Sequence, residues 1–500
     1  MHRHTARDVG RQEPRAVPSE QPTTSVRRPR YPREAVRVGI AHLGLGNFAR
    51  AHLARYADDM LELHPDEPWG IVGIGVRTGE AATRKAAELI AHDCVCTLLE
   101  ADEAGERACR LLGSVRAYLH FGSDPDKALE VLASPAIDLV TLTITEGGYG
   151  IREDTREYDL EAWPIARELA APDTPGTAVG ILVEAMRRRR SAGDPPPVVV
   201  SCDNLRSNGA TTRNAVVSHA AALDPALAAW IDRYSAFPNS MVDCIVPATT
   251  AELVAEVGAT WRVDDPQTVL CERFKQWIIE RPVGRLARLT EVGAEAVDDV
   301  APYESAKARM INASHVVLGH LGLLLGHRFV HEAVADEDLA ALVRSFMRED
   351  VFPYLEPPAG LDAQEYHEAA MARFSNRAIP DELRRLAFDG AAKLPTYISD
   401  IARLLVGSGA SVERVALLVA AHRAYTRRAV TSGELSRRDL EPSISDSDWE
   451  RLVCDSPDGL VGCEYLSRFG IESHPTFPTC IEAACLAVDA DARAAVVAAT

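Results

Sequence analysis

The sequence predicts an α/β chain in which a Rossmann-like amino-terminal domain precedes a mostly α-helical carboxy-terminal domain. Three observations predict it. A β run, Val36 to Leu43, leads at once into the glycine turn Gly44-Leu-Gly46-Asn-Phe-Ala49 and a helical pattern. Strand-like runs then alternate with helical patterns to about residue 296. Beyond Val297 strand signals fade and long helical periodicities dominate.

Residues 1–35 are rich in Arg, Pro, Thr and Ser and lack hydrophobic periodicity, so a disordered arm is expected there. The arm has no apolar core of the kind a secretory signal needs. The dinucleotide-binding domain is expected over 36–296. In its first turn Gly44 permits the sharp bend, Gly46 lets the backbone approach a pyrophosphate, and Ala49 allows close packing of a helix over 50–63. The next strand, 69–76, runs into Arg77-Thr-Gly-Glu80. Glu80 is placed to bind a ribose 2′-hydroxyl, which favours NAD; Arg77 meeting a 2′-phosphate leaves NADP open. Strands over 137–145 and 197–204 end in Glu146 and in Asp203-Asn204, beyond the carboxyl ends where such sheets bind ligands. Ordinary turn chemistry accounts equally well for the aspartate and the asparagine. Pro238 to Asp243 adds another acid in a turn. Helices over 79–92, 125–132, 176–191 and 209–222 lie between the strands.

The helical domain is expected over 297–500, with helices at 307–325, 336–350, 363–374, 381–388, 394–407, 412–426 and 481–499. Its first helix is the most informative stretch of the chain. At about 100° per residue, Glu304, His315 and Asn312 lie roughly 60°, 80° and 140° from Lys307. One arc thus carries an acid, an amine, an amide and an imidazole, on a helix apolar elsewhere. A buried lysine loses affinity for its proton and becomes a candidate base. The structural alternative is a Lys307–Glu304 pair one turn apart and a satisfied core histidine.

Composition limits the function. Hydrophobic residues at 47% and charged residues at 25% are those of a soluble globular protein. A net charge of −19 argues against a nucleic-acid partner. No apolar run is long enough to span a bilayer, so no membrane partner is expected. The ten cysteines are scattered without CxxC spacing, which predicts reduced thiols in a cytoplasmic protein and no metal centre. A dinucleotide fold with a buried lysine on its partner domain points to hydride transfer between a nicotinamide and an alcohol. Lys307 would take the alcohol proton, Asn312 and Asn204 would donate to the oxygen, His315 would orient, and Glu304 would pass protons to solvent. No Cys/His grouping of the zinc alcohol dehydrogenase type is evident.

At this point the chain resembles the polyol-specific long-chain dehydrogenases, the mannitol dehydrogenase family. The resemblance runs from about Val36 to the carboxyl terminus. It is carried by Lys307-x-x-x-x-Asn312-x-x-His315, by Gly44-Leu-Gly46-Asn47-Phe48-Ala-Arg50-Ala-His52, and by Thr145-Glu146-Gly-Gly-Tyr149, Ser201-Cys-Asp203-Asn204 and Pro238-Asn-Ser-Met-Val-Asp243. It implies metal-independent, NAD(P)-dependent oxidation of a sugar alcohol to a ketose, with D-mannitol and D-fructose as the pair. It implies Lys307 as base, Asn204 and Asn312 as an oxyanion pair, a proton path gated by Glu304, and His315, Asp243, Arg385 and Lys393 on the substrate. Asn47, Phe48, Arg50, Glu80 and Glu146 join the two glycines at the cofactor. One departure is Cys244, where family members usually carry arginine. D-arabinitol dehydrogenase and hexuronate (fructuronate) reductase are the enzyme alternatives; a non-catalytic dinucleotide sensor is the alternative of a different class.

Overall fold

The computed structural model describes residues 25–500, apart from 153–154, 359 and 472–473. Residues 1–24, most of the expected arm, lie outside the described residues. Residues 25–35 are folded onto the domain. Arg27 donates its N–H to the Cys109 carbonyl at 3.0 Å and accepts from the Leu111 N–H at 2.9 Å. Tyr31 is buried, with its hydroxyl on Asp58. Backbone pairing and one aromatic anchor hold this segment, and neither leaves a hydrophobic period to read.

Among the described residues eleven strands follow: β1 (Val38–Leu43), β2 (Gly70–Gly75), β3 (Cys96–Ala101), β4 (Arg107–Leu112), β5 (Val115–His120), β6 (Leu139–Leu142), β7 (Val198–Ser201), β8 (Ser240–Asp243), β9 (Val269–Glu272), β10 (Gln276–Glu280) and β11 (Glu295–Val297). The main sheet is parallel, in the order β5-β2-β1-β6-β7. Its inner strands β2 and β6 are buried on both faces, which requires near-continuous apolar runs. In mid-sheet, buried His42 on β1 lies opposite Gly73 and Thr141 and bonds the hydroxyls of Thr141 and Thr143 at 2.7 and 2.9 Å. The chain builds β1, β2 and β5 to one side, then returns to lay β6 and β7 on the other. The crevice at this change of direction opens at the carboxyl ends of β1 and β6. The loops leaving β1, β6 and β7 carry Gly44–Gly46, Glu146 and Asn204.

Two three-stranded sheets, β4-β3-β9 and β11-β10-β8, escaped the sequence reading. Buried ion pairs interrupt the apolar pattern of the first: Arg55–Glu100 at 3.0 Å and Arg110–Asp58 at 2.7 Å. Pro238 to Asp243, expected as a turn, ends in strand β8. The expected helix over 50–63 is two helices, Asn47–Ala51 and Leu53–Leu63, broken at His52, whose ring accommodates Phe48 and Tyr56 on either side.

The last strand ends at Val297, and the first helix of the carboxy-terminal half begins at Ala301. That helix runs Ala301–Lys307, passes through a π-turn at Ala308–Asn312, and continues as Ala313–Leu324. Val316, Val317, Leu318, Leu321 and Leu323 bury it in the helical core. Gly322 lets Leu383 approach so closely that a Cβ there would lie 2.8 Å from Leu383 Cδ1. The helix expected over 394–407 starts earlier, as Gly390–Ser408, with Pro395 tolerated in its second turn. The helix expected over 481–499 is split, because Asp491 caps a new helix by accepting the Arg493 and Ala494 N–H groups at 2.9 and 3.1 Å. All ten cysteines are free thiols. Among the described residues no helix is long and apolar enough to cross a membrane.

Candidate active site

A cavity of about 620 Å³ opens at the carboxyl ends of the main sheet, between the two halves of the chain. Lys307 stands at its wall, 6% exposed. Its Nζ donates to Asn204 Oδ1 at 2.7 Å and to the Val242 carbonyl at 2.6 Å. A neutral amine has two N–H bonds, and these two acceptors use both. The lone pair is then left for a proton from the cavity. With its oxygen taken by lysine, Asn204 keeps both Nδ2 hydrogens for the cavity it lines. Burial pushes the Lys307 pKa down, Asp243 opposes that shift and Arg373 adds to it; the net result lies below the ordinary lysine value.

The π-turn decides how Asn312 joins this group. Ala313 N–H reaches back five residues to the Ala308 carbonyl, the wider spacing of a π-turn. Lys307 and Asn312 are themselves five apart, so this winding brings them closer to one face than a regular helix would. Asn312 and Glu304 both line the cavity. Glu304 Oε2 accepts the Ser207 N–H at 3.2 Å, while its buried Oε1 has no partner. Burial raises its pKa despite the Ser207 N–H and nearby Arg206.

Glu146 lines the cavity on the turn Glu146–Tyr149. Asp203 pins that turn: its carboxylate accepts from the N–H groups of Ile144 and Thr145 at 2.9 and 3.1 Å and from the Tyr149 hydroxyl at 2.7 Å. Helix Gly390–Ser408 supplies the far wall with Tyr397 and Asp400, the latter paired with Arg206.

Other expected residues stand elsewhere. Asp243 does not line the cavity: one oxygen accepts from Arg373 at 2.7 Å, and the other lies 3.8 Å from Lys307 Nζ. It sits behind the lysine, not in front of it. His315 is also outside the lining, packed on Phe374 with ring centroids 4.3 Å apart; burial pushes its pKa down to about 4. Arg385 pairs with Asp381 at 2.7 Å, and Lys393 Nζ donates to the Arg385 and Leu386 carbonyls at 2.8 and 3.3 Å. Both basic groups are committed to their own turn and are absent from the lining.

The glycine turn fits a dinucleotide. Gly44 has φ +90°, and a Cβ there would meet the Thr143 carbonyl oxygen at 2.2 Å. At Gly46 the nearest atom to an added Cβ is 3.8 Å away, so its backbone is open to a ligand. Asn47 and Arg50 brace this turn instead of facing out. Asn47 Nδ2 donates to Thr249 Oγ1 at 3.0 Å; Arg50 is fully buried, bonded to Asn47 Oδ1 at 2.8 Å and to the Gln267 carbonyl. Phe48 stacks on His52 at 5.0 Å. Glu80 is exposed in the first turn of helix Glu80–Ala91.

The sequence reading missed Arg373 and Glu272. Arg373 Nε and Nη2 donate to Glu272 at 2.9 and 2.5 Å while Nη1 holds Asp243. The helix 363–374 was legible, but nothing in its periodicity says that its last turn reaches β8 and β9. The sequence also gave no sign that His320, His422 and Glu441 come together, buried, with ligand-type atoms within 4.8 Å of one another. Glu441 there accepts from the Gly390 and Ala391 N–H groups at 3.0 and 2.9 Å and from His422 at 2.8 Å. These contacts make it a cap for helix Gly390–Ser408.

Comparison with known proteins places the chain. Residues 38–289 match the model of the mannitol dehydrogenase Rossmann domain, and residues 299–453 match that of the mannitol dehydrogenase C-terminal domain. The chain belongs to the mannitol dehydrogenase family. It is 39% identical to a polyol:NADP oxidoreductase of Gluconobacter oxydans over 399 residues, 80% of this chain and 82% of that one. It is 38% identical to a mannitol 2-dehydrogenase of Cereibacter sphaeroides over 432 residues, 86% and 88% of the two chains. The solved ternary complex of Pseudomonas fluorescens mannitol 2-dehydrogenase with NAD and D-mannitol superimposes with a TM-score of 0.86 at 34% identity, covering 95% of this chain and 96% of that one. Cys244, the position at which the resemblance leads one to expect arginine, is buried. A guanidinium nonetheless stands beside Asp243, from Arg373 of the helical half.

Proposed function

We propose that this family member oxidises a sugar alcohol to a ketose with a nicotinamide dinucleotide, and that D-mannitol and D-fructose are its pair. The observation that carries the reading is Lys307, buried at the cavity wall with both amine hydrogens spent on Asn204 and Val242. The choice of polyol follows the mannitol 2-dehydrogenases to which the chain is similar. The open backbone at Gly46 and the left-handed turn at Gly44 would hold the pyrophosphate. The bound nicotinamide supplies the hydride acceptor. Lys307 takes the proton of the alcohol, and the amides of Asn204 and Asn312 donate to its oxygen as negative charge builds there. Glu304, with a free buried oxygen and raised proton affinity, carries that proton toward solvent. Asp243 acts on the lysine, not on the substrate. The ten free thiols suit a cytoplasmic setting.

A second reading concerns the cofactor. Arg77 is exposed after β2, and Lys85 lies near it and Arg50, which with burial lower its pKa to about 8. Cations there favour a 2′-phosphate, against Glu80, which favours NAD.

The test is a panel of D-mannitol, D-arabinitol, D-sorbitol and hexuronates, each with NAD and NADP, read by absorbance of the reduced nicotinamide. D-mannitol is expected to give the highest kcat/KM, and a chelator is expected to change nothing. Turnover of uronates alone would reject the substrate; cofactor binding without any turnover would return the sensor. Polyol oxidation is also expected to rise with pH, since only the neutral amine accepts a proton. Because burial lowers the proton affinity of Lys307, the midpoint of that limb in kcat/KM should fall below the ordinary lysine range. A rate independent of pH up to that range would remove lysine as base.

A further inference from the structure

Behind the lysine lies a closed set of charges centred on Arg373, to which the reaction proposed above gives no role. Arg373 lies in the last turn of the helix Ala363–Phe374. It holds Asp243 at 2.7 Å through Nη1 and Glu272 at 2.9 and 2.5 Å through Nε and Nη2. Glu272 Oε1 also accepts the Ile245 N–H at 2.6 Å, which ties it to the segment leaving β8. Asp243 Oδ1 stands 3.8 Å from Lys307 Nζ. No side chain of the four exceeds 8% exposure. Bulk water therefore does not screen them.

We propose that Arg373 is a positioning residue for the base: it fixes the Asp243 carboxylate behind Lys307 and offsets its charge, so that the amine gives up its proton at a lower pH. The proposal rests on the reading of Lys307 as the base. The geometry argues it in two steps. A lone carboxylate 3.8 Å from an ammonium in a dry site stabilises the charged form and would keep the lysine protonated. A guanidinium on the far oxygen of that carboxylate draws the charge away and adds a repelling cation, while Glu272 keeps Arg373 from turning toward the lysine. The groups facing Lys307 are Asp243 and Cys244 at the end of β8, Arg373 from helix Ala363–Phe374, and Glu304 on its own helix. Asp243 is also faced by His315. Of these only Arg373 is a permanent cation. Burial pushes the Asp243 carboxyl up, but Arg373 and Lys307 reverse the shift and hold it below the usual carboxylate range. It stays ionised throughout the working range, so the charge that Arg373 offsets is constant.

The experiment compares the kcat/KM–pH profiles of polyol oxidation for Arg373→Gln, Arg373→Lys and Asp243→Asn with that of the unaltered protein. Thermal midpoints and cofactor Kd are measured alongside. Losing the cation raises the lysine pKa, so Arg373→Gln is expected to move the acidic limb up by about one unit, a tenfold loss on the limb with the plateau less affected. Arg373→Lys keeps the charge and is expected to hold the limb near its original place. Asp243→Asn removes the attracting charge and is expected to move the limb down. If the Gln variant does not fold, the opposite shift in Asp243→Asn and the unmoved limb in Arg373→Lys still test the proposal. A limb that stays put in every variant that folds, with only stability or plateau rate changed, overturns it. Failure of the underlying reading looks different: Lys307→Ala would then show the same limb as the unaltered protein.

Discussion

Replacing Lys307 by alanine is expected to lower kcat for polyol oxidation by about 10²–10⁴-fold, the usual contribution of a positioned base. Dinucleotide affinity should be unchanged, because the glycine turn after β1 is formed by Gly44, Gly46 and their own neighbours. The loss should appear equally in kcat and kcat/KM, since the amine acts on the hydroxyl proton and contributes little to ground-state binding. Two secondary effects follow from its partners. Asn204 Oδ1 and the Val242 carbonyl lose their donor, and Asp243 loses one of the two basic side chains beside it. The measurement is turnover by nicotinamide absorbance, with cofactor Kd from fluorescence titration. An alanine variant within about tenfold of the original rate would show that another group takes the proton.

Gly44→Ala should abolish cofactor binding and weaken the fold. The backbone at 44 has φ +90°, in the left-handed region, which costs a non-glycine residue about 1–3 kcal/mol. The added Cβ would also press on the Thr143 carbonyl oxygen at 2.2 Å. That oxygen belongs to backbone leaving β6, so it cannot swing away like a side chain; displacing it adds about 1–3 kcal/mol. The same movement would disturb Ile144, Thr145 and the turn that Asp203 pins beside the cavity. The measurement is the thermal midpoint together with dinucleotide Kd. A variant that binds cofactor normally would mean that the turn does not hold the pyrophosphate. Gly46→Ala is the useful contrast, since space around that position should keep the fold intact even where binding weakens.

Much of the site was legible from local chemistry. A left-handed turn restricts residue 44 to glycine, whatever lies around it. The spacing of Lys307, Asn312 and His315 on one helix can be read because helical geometry is local. Even so, the spacing left two things open. It assumed a regular helix, whereas the π-turn at Ala308–Asn312 changes the azimuth of every residue beyond it. It also counted His315 with the cavity; the structure packs that half-buried ring on Phe374 and leaves its Nε2 without a hydrogen-bond partner among the described residues. Arg50 shows a related limit: a conspicuous arginine next to a phosphate-type turn looks like a ligand contact until its partners, Asn47 and the Gln267 carbonyl, are known.

The sequence alone determined that the chain has a dinucleotide-type half and a helical half, and it singled out Lys307, Asn204, Asn312, His315 and Glu304 as the candidates for its chemistry. Those inferences rest on backbone handedness, periodicity and residue type, which are properties of short stretches. Only the tertiary structure decided what surrounds the lysine. Asp243 meets Arg373 across 130 residues of chain, and Arg373 meets Glu272 across 101. The proton affinity of an amine depends on charges a few ångströms away and on the loss of water, and no stretch of sequence brings those charges together until the two halves pack.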